Sequence, residues 1–178
     1  MQIGKDTTLR LTLVDDSAED AEAIVSTLRN GGIAVRPLRP LDAGELGQMV
    51  ASQPMDLLLA SRTAKGIPLA TVLAQVDGSG KDIPVIVLAD AITENDLLAD
   101  QAAGARAVAL RGRPDHVLTI LRREWADLDA RRSQRRLEGQ MRETERRCDA
   151  LISSSRDPIA YIHEGMHIRA NQAYLEMF

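Results

Sequence analysis

The chain is poor in three things that would each point to a class of protein. It has one cysteine, Cys148, so no intrachain disulfide can form, and that usage fits a reducing compartment. Aromatic residues make up only 2% of the sequence, which leaves an aliphatic core and argues against modules that stack bases on aromatic platforms. There is no basic excess. The formal net charge is −4, without the electrostatic footprint of a DNA-binding domain. Uninterrupted apolar runs are too short to span a bilayer, and the N-terminus Met1-Gln-Ile-Gly-Lys-Asp-Thr-Thr8 lacks a signal-peptide pattern. The expectation is a cytoplasmic globular protein. With 178 residues, 44% hydrophobic and 27% charged, the chain can hold one full domain and part of another.

What is present begins at Leu9-Arg-Leu-Thr-Leu-Val-Asp-Asp-Ser17. Alternating leucines predict a strand, and two adjacent carboxylates, Asp15 and Asp16, stand at its end. Beside an apolar sheet such charges need a cation, a cap or water to offset desolvation. From Ser17 the period changes to that of a helix. Ala21, Ile24, Val25 and Leu28 share a face, Ser17 with Asp20 makes a capping-box signature, and Asn30-Gly31-Gly32 ends the helix.

The alternation then repeats. A strand over Ile33 to Leu38 precedes a helix capped at Asp42 with Glu45 three residues on, carrying Leu46, Met49 and Val50 inward until Pro54. Asp56-Leu-Leu-Leu-Ala60 is an unbroken apolar strand, followed by a polar loop from Ser61 to Gly66 and a helix opening at Pro68 with Leu69, Val72, Leu73 and Val76 inside. Ile83-Pro-Val-Ile-Val-Leu88 is a further strand. Thr93-Glu-Asn-Asp96 opens the next helix, Gly104 closes it, and Ala105 to Leu110 is the last strand before Gly112 and Pro114. Strands and helices in strict alternation predict an α/β fold with a five-stranded, doubly wound parallel sheet.

The region 8–124 resembles the receiver domain of bacterial response regulators, the CheY-like (βα)5 fold. The resemblance rests on Asp15/Asp16, the approach Pro54-Met-Asp-Leu-Leu-Leu, Ile83-Pro-Val-Ile-Val-Leu88, and Gly104-Ala105 before the fifth strand. In that family the acidic pair and an aspartate ending the third strand hold Mg²⁺, and that aspartate accepts a phosphoryl group. A Thr or Ser ending the fourth strand and a Lys ending the fifth contact its oxygens. Here the acceptor position is Ser61, the switch position Ala89, and the lysine position Arg111 followed by Gly112 instead of proline. The loop after Ser61 is short for the family. Arginine keeps the charge without the compact ammonium. The resemblance therefore implies a degenerate pseudo-receiver without catalytic residues or cofactor. Asp15 and Asp16 are expected to cap the first helix and pair with Arg111, an Mg²⁺ site at the two acids being the lesser alternative.

Beyond Pro114 the next proline is Pro158. Leu118, Leu121, Trp125 and Leu128 are spaced as a coiled-coil seam, Arg131-Arg-Ser-Gln-Arg-Arg136 interrupts it, and Leu137, Met141, Thr144, Cys148 and Leu151 resume it. The expectation is one long helix, with residues 125–151 a signalling helix that pairs in a parallel homodimer and shifts phase at the arginines and Gly139. Asp127, Asp129, Glu138 and Glu143 flank the arginines, as on a solvated helix face. Cys148 reads as a packing residue of the seam.

Segment 152–178 resembles the opening of a PAS domain: Asp157-Pro158-Ile159 before a strand, a Glu164-Gly165 turn, a second strand, and Asn171 starting a helix. His163 and His167 flank the turn without a third ligand. Receiver, helix and PAS in this order resemble the N-terminus of FimX-type cyclic-di-GMP signalling proteins, and the order implies downstream output domains such as GGDEF–EAL. The leading expectation is a non-catalytic module of a two-component or cyclic-di-GMP pathway, acting by dimerisation and docking of protein partners. The alternatives are a receiver phosphorylated on Asp15 or Asp16, and a nucleic-acid-binding regulator using Arg131 to Arg136, whose binding would weaken steeply with salt.

Overall fold

A computed structural model of the chain describes residues 8–177. The segment 1–7, in which no signal-peptide pattern is read, and Phe178, the end of the PAS-like segment, lie outside the described residues. The chain divides into two compact units, with the division between Ala130 and Arg131.

The first unit alternates as expected: β1 (Leu9–Val14), α1 (Ala18–Asn30), β2 (Val35–Leu38), α2 (Ala43–Ser52), β3 (Leu57–Ser61), α3 (Leu69–Gly78), β4 (Val85–Ala89), α4 (Glu94–Ala102) and β5 (Ala107–Leu110), then the start of α5 (Pro114–Ser154). Three helix starts carry the side-chain caps anticipated from the sequence. Ser17 accepts from the Asp20 N–H, Asp42 from the Glu45 N–H and Thr93 from the Asp96 N–H. At α2 the Glu45 side chain also reaches back past the cap, its Oε2 accepting from the Leu41 N–H at 2.7 Å.

The five strands form one sheet in the order β2-β1-β3-β4-β5, all pairs parallel. Successive strand residues serve opposite faces. Leu9, Leu11 and Leu13 of β1, Leu57 and Leu59 of β3, and Ile86 and Leu88 of β4 join a core with Ile24, Val25 and Leu28 of α1 and Val117, Leu121 and Trp125 of α5. Leu58 and Ala60, with Val85, Val87 and Ala89, face the other core, closed by Leu46, Met49 and Val50 of α2 and Val72, Leu73 and Val76 of α3. Because both faces are covered, β3 and β4 are buried throughout, the reason their sequences read as unbroken apolar runs.

The structure corrects one part of the seam. Leu121, Trp125 and Leu128 are buried, with Leu121 and Trp125 packed on the sheet, and Leu118 is partly buried against the same core. Side chains committed to the domain's own core cannot also form the seam of a coiled coil. Leu137, Met141, Cys148 and Leu151 remain exposed along the same helix.

In the second unit α5 runs without interruption past the arginines and Gly139 to Ser154. An antiparallel pair follows, β6 (Ala160–His163) and β7 (Met166–Ala170), then α6 (Gln172–Met177). The two-residue turn Glu164-Gly165 has φ of 48° and 78°, the doubly left-handed geometry that joins tightly twisted strands. Among the described residues no helix is long and apolar enough to cross a membrane.

The buried and exposed halves of the apolar series on α5 should respond differently to truncation. Leu121→Ala is expected to cost about 2–5 kcal/mol of stability, whereas Leu137→Ala should stay within about 0.5 kcal/mol for the isolated chain. Urea unfolding followed by fluorescence of the single tryptophan, Trp125, measures both.

Candidate functional site

The parallel register fixes which residues meet at the carboxyl end of the sheet. Val14 pairs with Ala60, so Asp15 emerges beside Ser61, the last residue of β3. Ser61 pairs with Leu88, and Ala89 with Leu110, so Ala89 and Arg111 complete the same edge. β1 lies between β2 and β3, and the chain departs to opposite sides from it. In doubly wound sheets this switch point is where ligands are bound.

The centre of that site is occupied by a side chain. The Arg111 guanidinium, 19% exposed, makes an ion pair with Asp15 Oδ2 at 2.7 Å and donates to Ser61 Oγ at 2.6 Å and to Asp20 Oδ2 at 3.1 Å. Its Nε lies 3.5 Å from Asp90 Oδ1. The Asp15 contact is one of charge, without the alignment of a hydrogen bond, while Asp15 Oδ1 accepts from the Ser17 N–H at 3.0 Å. Asp15 is only 6% exposed, and the guanidinium at this distance offsets the desolvation of its charge. A flat fork with several donors can reach three acidic residues and a hydroxyl at once; a lysine ammonium on the same stem presents a point charge. Among the described residues the buried Ser61 hydroxyl is hydrogen-bonded by the Arg111 and Thr63 side chains, the latter through Oγ1 at 3.3 Å. Neither neighbour is a base able to draw off its proton.

Asp16 is used differently from its neighbour. Its Oδ2 accepts from the Lys65 N–H at 2.7 Å and its Oδ1 from the Gly66 N–H at 3.0 Å. These two backbone donors hold the Asp16 carboxyl below the usual carboxylate range, with smaller help from the Lys65 and Arg39 charges. A Cβ on Gly66 would stand 3.0 Å from Asp16 Oδ1, so a larger residue there would push the carboxylate back by a few tenths of an ångström. Arg39 donates to the main-chain carbonyls of Asp15 and Asp16. Beside them lies a cleft of about 160 Å³ lined by Asp16, Arg39, Leu41 and Ile67. The expected pairing with Arg111 therefore holds for Asp15, while Asp16 pairs with the loop after β3.

Sequence reading placed Asp20 in the cap of α1, where its N–H does bond Ser17; that its carboxylate turns to Arg111 follows only from the fold. Asp90 was missed, although its position directly after Ala89 was a signal. Arg62 was missed as well. It pairs with Asp96 at 3.3 Å and with Asp100, both on α4, and donates to the Ala91 carbonyl at 3.2 Å. Ala89 lines the edge with a methyl and no donor. In the second unit His167 Nε2 meets the Tyr174 hydroxyl at 3.0 Å, while His163 lies 4.0 Å from Glu164. Among the described residues no three His, Cys, Asp or Glu side chains are grouped to hold a metal ion.

No protein-family model and no curated protein matches the chain. Solved structures do. The CheY-like receiver domain protein of Methanospirillum hungatei is 16% identical with a TM-score of 0.59, matched over 70% of this chain and 99% of its own. A protein described as a response regulator of Chloroflexus aurantiacus is 22% identical with a TM-score of 0.58, over 67% of this chain and 99% of its own. The receiver domain of the sensor histidine kinase PA1611 of Pseudomonas aeruginosa, solved with a magnesium ion coordinated in its active-site cleft, is 20% identical with a TM-score of 0.54 over 67% of this chain and 99% of its own. At these identities the likeness establishes the receiver fold.

Two outcomes follow from the site. Arg111→Ala strands the buried Asp15 carboxylate and should cost about 3 kcal/mol; adding Asp15→Asn should restore part of it, so the double variant loses less than the sum of the two, as read by urea unfolding. The lowered Asp16 carboxyl favours the folded loop above the unfolded-state pKa, and that contribution disappears as pH falls through the folded one. Protection of the Lys65 and Gly66 amides, taken relative to the intrinsic exchange rate at each pH, should accordingly fall below the ordinary carboxylate range in wild type and lose this pH dependence in Asp16→Asn.

Proposed function

We propose that the chain is a non-catalytic, receiver-type signalling module in which an internal cation has taken the place of phosphorylation chemistry. The observation that carries this reading is the Arg111 guanidinium, ion-paired with Asp15 and hydrogen-bonded to Asp20 and Ser61 at the carboxyl edge of the sheet. Mg²⁺ in a receiver site relies on free carboxylate oxygens in strict geometry. Here Asp15 is committed to Arg111 and the Ser17 N–H, both oxygens of Asp16 accept backbone N–H groups, and the third position is a neutral hydroxyl. The residues present do not fit the ion. With no carboxylate at position 61 and no hydroxyl at position 89, a phosphoryl group has neither an acceptor nor a switch residue.

In this reading signalling passes through protein contacts in the cytoplasm. The exposed stripe Leu137, Met141, Thr144, Cys148 and Leu151 on α5, spaced four, three, four and three, is the seam of a parallel homodimer. Residues 152–178 form the opening of a PAS domain, and α5 relays subunit orientation to it and to output domains of the GGDEF–EAL type in a cyclic-di-GMP pathway. Hydrophobic side chains left exposed on β6, β7 and α6, among them Tyr161, Ile162, Ile168 and Leu175, support a larger domain around them.

Incubation with beryllofluoride or acetyl phosphate and Mg²⁺ should leave no adduct by intact-protein mass spectrometry; an acid-labile phosphate on Asp15 or Asp16 would overturn the reading. The single cysteine tests the seam. In a parallel, in-register dimer the two copies of Cys148 face each other, so mild oxidation should give a disulfide-linked dimer, and Met141→Glu should abolish it.

A further inference from the structure

Asn171 is among the few polar side chains buried among the described residues, at 3% exposure. Its Oδ1 accepts from the Ile159 N–H at 2.9 Å and from the Tyr174 N–H at 3.0 Å, tying the approach to β6 to the first turn of α6. Its Nδ2 lies 3.2 Å from the Ile152 carbonyl, 3.3 Å from that of Ser155 and 2.8 Å from that of Asp157. Ile152 is in the last turn of α5, where carbonyls have no partner within the helix. The amide's two hydrogens are thus shared among three carbonyls at the end of α5 and just beyond it. The backbone of Asn171 is fixed as well, its N–H bonding the Ile159 carbonyl at 2.9 Å. A second link lies one turn back: Asp149 of α5 forms an ion pair with Arg169 of β7.

We propose that Asn171 is a latch that fastens the end of α5 to the β6–β7–α6 hairpin, with Asp149–Arg169 as its secondary tie, so that displacement of the helix end is transmitted to the hairpin through one side-chain amide. The proposal rests on the reading of α5 as a relay and supplies the residue through which the relay acts. Only an amide performs this task. One end must accept from two N–H groups and the other must donate to carbonyls, so the side-chain orientation is set by its partners. Asn171→Asp keeps the acceptor and the shape, removes both donors, and places an anionic oxygen against three carbonyls. It therefore cuts the tie to α5 while leaving the caps of β6 and α6 in place.

The test is amide hydrogen exchange on the full chain. Asn171→Asp should raise exchange about fivefold or more at residues 149–155 of α5 and at β6 together. A change confined to 171–175, with the helix end unaffected, overturns the latch. If the substitution unfolds the hairpin outright, Asp149→Ala decides the matter. It touches neither Asn171 nor its partners, yet should accelerate exchange of the Ile159 amide, and the charge-exchanged pair Asp149→Arg with Arg169→Asp should restore it. An unchanged Ile159 amide in Asp149→Ala overturns the proposal. Exchange reads the latch whether or not the chain self-associates, while Cys148 cross-linking reads the seam, so failure of either is told apart from failure of the other.

Discussion

The carboxyl edge of the sheet depends on a charge balance that one side chain completes. Three parallel strands deliver Asp15, Ser61 and Arg111 to within bonding distance, and α1 adds Asp20. In a low-dielectric corner an unpaired Asp15 would be costly, and water has little access to relieve it. The guanidinium answers that cost with a fixed, always-charged group. A metal ion at such a place is exchangeable and its occupancy depends on conditions; a side chain is neither. In the proposed reading, what a receiver fold usually leaves open to regulation is closed by a side chain attached at the end of β5.

That closure moves attention to the surfaces. Arg62, directly after Ser61, fastens α4 through Asp96 and Asp100, so the edge next to the site is held by a second arginine. α5 serves two purposes along one helix. Its first turns give Val117, Leu121 and Trp125 to the sheet, and its later turns expose Leu137, Met141 and Leu151. The two parts differ in phase, because Leu137 follows Leu128 by nine residues and so lies half a turn round the helix from it. The first apolar stripe meets the domain's own sheet, and the second, turned to another face, meets solvent and in the proposed dimer a second helix. The hairpin beyond it is small, and α6 contains no buried residue.

The fold was largely legible because local chemistry and period agree along the first unit. Caps at Ser17, Asp42 and Thr93, glycines at the helix ends, and apolar runs of strand length each constrain a few residues, and together they admit few topologies. Strand starts moved by two residues at β2, β4 and β5, where Ile33, Ile83 and Ala105 are buried ahead of the ladder instead of within it. The candidate site was legible by position but not by partner. Ser61, Ala89 and Arg111 could be located from the strand ends; that Asp15 would take Arg111 while Asp16 turned to Lys65 and Gly66 could not, because adjacent side chains leave the chain in different directions and only the loop's path decides what each meets.

By itself, then, the sequence determined the alternation of strands and helices, the absence of a carboxylate at position 61, and the continuity of α5. These are properties of residue type and period, and they hold before any long-range contact forms. Tertiary structure decided which part of the apolar series on α5 is consumed by the sheet, since 3.5- and 3.6-residue patterns look alike whether they face a sheet or another helix. It also decided that Asp20 and Asp90 join the arginine, and that Asn171 gathers five backbone groups from three segments. Those contacts join residues distant in sequence, and a one-dimensional pattern carries no distance between them.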